Sequence, residues 1–172
     1  MTQATSQSGT KYCYTYDNNG NPTALSIKGS ETMYIETGAS YTSNGAFAST
    51  TTDQDGQTES YVYDNSKGTL TSYTDKKGNV INYTYDANTD AVTSVSQTLS
   101  NGQTIQNNYT YNKYLLNTIS HNGFNYSFVN DNFGNITQTK VGSQVLCTNT
   151  YGTNNNGDLK RVTYGNGDYA DY

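Results

Sequence analysis

Tyr61-Val62-Tyr63-Asp64-Asn65-Ser66-Lys67-Gly68-Thr69-Leu70 opens a phrase that starts again 22 residues later as Tyr83-Thr84-Tyr85-Asp86. Two aromatics one residue apart project from the same face of a strand. An acid directly behind them can bond its own backbone two residues on, and glycine then supplies a positive φ, so the strand ends in a turn. Half a period later comes a second turn, Lys77-Gly78, before the aromatics return. One unit therefore reads as two strands and two turns.

Outward from this stretch the phrase recurs at Tyr14-Thr15-Tyr16-Asp17 and, more weakly, at Tyr41, at Tyr109 and Tyr111, at Tyr126 and Phe128, and at Tyr151. The second aromatics are spaced 25, 22, 22, 26, 17 and 23 residues apart, a period near 22 that marks a repeat architecture. The aromatics of the 61–86 stretch are followed by Asp64 and Asp86. Turn glycines fall at Gly20, Gly45, Gly68, Gly134 and Gly157 behind the aromatics, and at Gly29, Gly56, Gly78, Gly102, Gly123, Gly142 and Gly167 in the second turns. Asn-Gly and Asp-Gly among them are strong hairpin signals. No window has the 3.6-residue apolar period of a helix. The expected fold is all-β: an array over residues 12–172 of about seven hairpins and fourteen strands, preceded by a polar tail, residues 1–11.

Strands about 4.8 Å apart would make such a ribbon roughly 65 Å long, beyond what an open twisted sheet keeps without curling. The return strands carry apolar residues three apart rather than two: Leu70 and Tyr73, Val92 and Val95, Leu116 and Ile119, Leu159 and Val162. Regular strands would send each pair to opposite faces. Either both faces are covered, or one of each pair is exposed, or a β-bulge inserts one residue between them and restores a common face; the bulge is favoured, because it adds the local twist that a curling sheet needs.

The run of Tyr-x-Tyr-Asp, glycine turn, Leu or Ile, and Asp-x-x-Gly resembles the YD repeat of the Rhs and wall-associated protein family, best over Gly56 to Asp86 and again from Asn156 to Gly167. The resemblance implies a β-strip that spirals into a shell on secreted or surface bacterial proteins, enclosing a variable C-terminal effector such as a toxin. It transfers no catalytic residue. Departures are Asp90 and Tyr114, which stand where a first-turn glycine is usual, the 17-residue fifth spacing, and a sole proline, Pro22, so that no Asp-Pro self-cleavage segment is present. The chain reads as an excerpt of a longer array, with neighbouring repeats as its first partners.

Composition narrows the function further. The chain holds 18 Tyr and 4 Phe among 172 residues, with 13% charged residues and one proline. That combination is unlike a disordered chain despite a mean hydropathy of -0.83. A net charge of -5 with nine scattered Lys and Arg offers no basic stripe for nucleic acid. No apolar run is long enough for a membrane-spanning helix, and the first ten residues lack the apolar stretch of a secretory signal. Open sheet edges would favour edge-to-edge self-association.

No constellation reads as catalytic, and no cofactor or metal is implied. His121, the only histidine, lies beside Asn122-Gly123 and reads as an exposed turn residue. Asp53 and Asp55 read as turn chemistry rather than as a calcium loop or a glycosidase pair. Cys13 and Cys147 fit no zinc spacing; they are either free thiols or one long-range bridge. Tyrosine faces also suit stacking on cell-wall or host glycans. Cross-strand tyrosine ladders that hold a sheet together are the competing use.

Overall fold

The computed structural model describes residues 2–29, 33–152 and 157–172. Gly29 borders one omitted segment, and Asn156 lies in the other. The strands are β1 (Thr2–Thr5), β2 (Lys11–Tyr16), β3 (Pro22–Lys28), β4 (Met33–Tyr41), β5 (Ala48–Thr52), β6 (Thr58–Asp64), β7 (Thr69–Thr74) and β8 (Val80–Tyr85). They continue as β9 (Val92–Thr98), β10 (Thr104–Asn112), β11 (Leu115–His121), β12 (Phe124–Asn130), β13 (Ile136–Val141), β14 (Gln144–Tyr151), β15 (Leu159–Tyr164) and β16 (Tyr169–Asp171). Strand order in the sheet follows chain order, with no helix among the described residues. The chain divides into two compact units, Met1–Asn82 with Thr98–Gln103, and Tyr83–Gln97 with Thr104–Tyr172.

Seven aromatic strands, β2, β4, β6, β8, β10, β12 and β14, are each followed by a return strand, which accounts for the fourteen expected strands. Two more lie outside them. Residues 2–5, expected within the polar tail, form β1, because Thr2, Gln3, Ala4 and Thr5 pair antiparallel with Tyr14, Cys13, Tyr12 and Lys11. The backbone supplies those bonds whatever the polarity of the side chains. At the other end β16 pairs with β15.

Bulges lie between Leu70 and Tyr73, between Leu116 and Ile119 and between Leu159 and Val162, as the three-residue spacing requires. In the first unit Tyr61 faces Tyr73 and Tyr63 faces Leu70, leaving Thr71 as the extra residue. Tyr14 faces Leu25 and Tyr16 faces Pro22, leaving Thr23. In the second unit Tyr109 faces Ile119 and Tyr111 faces Leu116, leaving Asn117. There too Asn149 faces Val162 and Tyr151 faces Leu159, leaving Lys160. Each extra residue turns an i, i+3 apolar pair onto the face that carries the i, i+2 aromatics.

The same register corrects one repeat. Phe128 faces Thr139, and Asn130 faces Ile136 across the bulge. Asn130, not Phe128, therefore holds the second aromatic position, and Tyr126 lies one step earlier than expected. The spacings around it become 19 and 21 residues, so the short fifth unit is an artefact of aligning on aromatic identity instead of on the bulge.

No hydrophobic side chain among the described residues is buried. The tyrosine face is half-covered by its own strand neighbours. Tight turns do the rest. Gly68, at φ 74, closes the Asp64 turn with its amide on the Asp64 carbonyl at 2.7 Å, and an added Cβ would come within 3.0 Å of the Phe47 ring. In the matching turn Asp90 takes φ 55, and the two-residue hairpin after β10 puts Lys113 at φ 48 and Tyr114 at φ 71. Side chains there cost roughly 1–2 kcal/mol against glycine.

Two substitutions check these turns by thermal or urea unfolding. Tyr114→Gly should stabilise the chain by about 1 kcal/mol, raising Tm by about 2–4 °C. Gly68→Ala should destabilise it by about 1 kcal/mol or more, through both its φ and the Phe47 contact.

Candidate functional site

Within each unit the repeats build an aromatic face, and its chemistry starts at the bulges. Beside each bulge the ladder is interrupted, so a backbone carbonyl needs another donor. Tyr41 on β4 donates its hydroxyl to the Pro22 carbonyl at 3.0 Å, next to the extra residue Thr23. Tyr151 on β14 donates to the Ile136 carbonyl at 2.9 Å, next to the extra residue Thr137. Tyr111 on β10 donates to the carbonyl of Val92, the first residue of β9, at 2.8 Å. At Tyr41 and Tyr151 the second aromatic of one hairpin thus bonds a carbonyl beside the bulge in the return strand of the hairpin before it. Tyr16, with only β1 before it, is 46% exposed. On the opposite face the extra threonines complete the seal: Thr71 Oγ1 donates to the Val62 carbonyl at 3.1 Å and Thr137 Oγ1 to the Val129 carbonyl at 3.0 Å.

Glu59 joins the aromatic face one alternate position before Tyr61. Its carboxylate accepts the hydroxyls of Tyr73 at 2.8 Å and Tyr61 at 3.1 Å, and the two rings lie 5.3 Å apart. The Tyr73 bond is the main influence holding the Glu59 carboxyl below its ordinary value, and the Glu59 bond is the main influence pushing Tyr73 up to about 12. Phe47 stacks on Tyr63 at 4.7 Å. These rings and hydroxyls are occupied within the sheet.

The turn rims repeat one pentapeptide, Asp-x-x-Gly-Asn or Gln. Asp17, Asp53, Asp75 and Asp131 each accept, on Oδ1, the amides of the third and fifth residues at 2.8–3.0 Å. Their carboxyls are held below the ordinary 3.8, chiefly by the Asn21 amide at Asp17, by Lys76 at Asp53, and by the Asn79 and Asn135 side chains at Asp75 and Asp131. Leu99 and Tyr164 stand where such turns begin without a carboxylate. There Asn101 and Asn166 cap the fifth amide instead, at 3.0 and 3.1 Å. The fifth residue also ties neighbouring turns together, with Asn21 donating to the Gly45 carbonyl at 2.8 Å and Asn79 accepting the Ser100 amide at 3.1 Å. The recurring Asp-x-x-Gly was legible in the sequence; the fifth residue, and the reach of its asparagine to the next turn, were not.

The other candidate residues do not converge. Asp53 and Asp55 share a turn in which Asp53 is an acceptor for the Asp55 amide and an ion-pair partner of Lys76 at 2.7 Å. His121, expected to be exposed, is half-buried at the end of β11, with Nδ1 donating to Asn107 Oδ1 and Nε2 accepting from Asn122 at 3.2 Å. Cys13 and Cys147 are free thiols. In the second unit a shallow groove of about 480 Å³ lies between the Asp86 turn and the Lys113–Tyr114 hairpin. Tyr114, 79% exposed, stands at its rim.

No protein-family model matches the sequence, and no curated protein matches it. Solved structures do share its fold. A Tc holotoxin pore of Photorhabdus luminescens aligns with 90% of this chain at 12% identity and a TM-score of 0.50. A complex of TcdB2 and TccC3 with Cdc42 aligns with 94% at 13% identity and the same TM-score. A porin-like protein of Bacteroides uniformis aligns at a lower TM-score of 0.47. The fold of this chain is thus one found within Tc toxin proteins. The chain spans 11% of the length of each of those two.

Removing the hydroxyl in Tyr151→Phe should cost about 0.5–1 kcal/mol, because the Ile136 carbonyl loses one of two donors and keeps the Asn149 side-chain amide at 2.9 Å, whereas Tyr16→Phe should be nearly neutral. Urea unfolding of the two variants distinguishes them. The turn carboxylates have lowered folded-state values, so their contribution is present above their ordinary value of 3.8 and is lost as pH falls through that value and below. Unfolding monitored from pH 6 to pH 2 should show Tm falling mainly below about pH 4, and an Asp131→Asn variant should fall less steeply.

Proposed function

We propose that the chain is a structural, non-catalytic stretch of a secreted or cell-surface bacterial YD-repeat protein. It serves as wall in a β-shell that encloses or presents a C-terminal effector of its parent. The observation that carries the reading is the use of the tyrosines: three of the second aromatics spend their hydroxyls on carbonyls of the preceding hairpin, and Glu59 holds two more. A repeat built this way makes sheet out of its most distinctive residues. The shared fold with Tc toxin proteins supports the same reading.

Glycan binding, the other use open to a tyrosine-rich face, needs rings and hydroxyls that are free. Tyr114 beside the shallow groove is the residue best placed for it.

A glycan array and a panel of polysaccharide and peptide substrates test the proposal with the 172-residue chain. The expected outcome is no retained glycan and no turnover. Tetranitromethane should modify Tyr114 well ahead of Tyr73, which Glu59 engages. Saturable glycan binding lost in Tyr114→Gly, or turnover lost in His121→Ala, would overturn it.

A further inference from the structure

Asn-Gly is the step at which a protein backbone most readily attacks its own side chain, because glycine has no Cβ to hold the two apart. The chain has six such steps, and both residues are described at Asn19-Gly20, Asn44-Gly45, Asn101-Gly102, Asn122-Gly123 and Asn166-Gly167. Their local geometry divides them four to one.

In four of them asparagine and glycine are the third and fourth residues of a five-residue turn, and the glycine amide is engaged. Gly20, Gly45, Gly102 and Gly167 donate to the carbonyls of Asp17, Thr42, Leu99 and Tyr164 at 3.2, 2.7, 2.8 and 2.9 Å. At Asn44, Asn101 and Asn166 the side chain is fixed as well, since Oδ1 accepts the amide two residues on at 3.0–3.1 Å. Attack would first have to break these bonds.

Asn122-Gly123 instead forms the two-residue hairpin between β11 and β12, whose closing pair is His121 with Phe124. Positive φ at both residues, 46 at Asn122 and 87 at Gly123, is the signature of a type I′ turn. The Gly123 amide donates to no group among the described residues, and both turn residues are exposed. Asn122 Nδ2 donates to His121 Nε2 at 3.2 Å, while its Oδ1 accepts no bond from the described residues. Turning over the peptide between Asn122 and Gly123 converts type I′ into type II′, the other favoured two-residue hairpin turn, and leaves the flanking ladder bonds in place. In type II′ the first central residue has ψ at about −120°. For an L residue that angle brings the following nitrogen into line with Cβ, which is the arrangement in which a five-membered ring closes.

We propose that Asn122 is a self-modification site of the folded chain. The Gly123 nitrogen bonds to Asn122 Cγ and gives up its proton to water, while the Cγ–Nδ2 bond breaks and Nδ2 takes up a proton and leaves as ammonia. Water then opens the cyclic imide at one of its two carbonyls, giving aspartate or isoaspartate. The aspartate replaces a donor to His121 Nε2 by a carboxylate. The isoaspartate adds a backbone atom to a two-residue turn, so the register of His121 with Phe124 no longer closes. The β11–β12 hairpin is then the place where the sheet gains charge or loosens as the protein ages. This goes beyond the wall reading and does not rest on it, so its failure would leave that reading untouched.

The test is peptide mass spectrometry of amide loss at the five steps, in the 172-residue chain incubated in mildly alkaline buffer with and without urea. Circular dichroism confirms the sheet in the sample without urea. In urea the five steps should react at similar rates. In the folded chain Asn122 should stay within a few-fold of its urea rate, while the other four slow by about tenfold or more, the factor set by a local opening cost of about 1.4 kcal/mol. An Asn122 rate in the folded chain no higher than at the other four steps, or a slowing by folding as large as theirs, would overturn the proposal.

Discussion

The structure depends on a carbonyl that a bulge has taken out of its ladder. A sheet of regular strands would place apolar residues three apart on opposite faces and leave half of each pair in water. Inserting one residue brings both onto the aromatic face but interrupts the ladder beside it. An unpaired carbonyl at a partly covered position costs free energy comparable to a lost hydrogen bond. A tyrosine on the next strand reaches it at Pro22 and at Ile136, where the Asn149 side chain also donates, and Tyr111 makes the same kind of bond to Val92. Phenylalanine could supply the same ring but not the donor, which gives a physical reason for a chain with 18 Tyr and 4 Phe.

Around that contact, function and stability draw on the same atoms. No hydrophobic side chain among the described residues is buried, so cohesion comes from backbone ladders, ring contacts such as Phe47 on Tyr63 and Tyr61 on Tyr73, and the capped turns. The Asp-x-x-Gly-Asn turn serves twice, since its carboxylate satisfies two amides in its own loop and its asparagine bonds the neighbouring turn. Where the carboxylate is absent, at Leu99 and Tyr164, an asparagine at the third position bonds the fifth amide. The requirement is that the amide be capped; the identity of the cap is negotiable.

Much of this was legible in the residues. The i, i+2 aromatics, the glycine turns and the three-residue apolar spacing together implied hairpins with a bulge in the return strand, and the pairs at Leu70 and Tyr73, Leu116 and Ile119, and Leu159 and Val162 carry it. The sixth repeat was misaligned because Tyr126 and Phe128 look like the aromatic phrase, whereas backbone register, which side-chain identity does not encode, gives the place to Asn130. β1 was missed for a related reason: Thr, Gln and Ala on an exposed edge carry no periodic signal, and their pairing is a property of the adjacent strand. The tyrosine acceptors were out of reach as well, since a hydroxyl's partner two strands away depends on the bulge that positions it.

Every strand in the sheet is a neighbour of the strands next to it in sequence. A whole hairpin of about 22 residues can therefore be duplicated or deleted without altering which groups meet in the others, provided the cut preserves the phase of aromatic and return strands. Length is then set by copy number, and evolution can change the size of such a protein by copying a sentence instead of rewriting it.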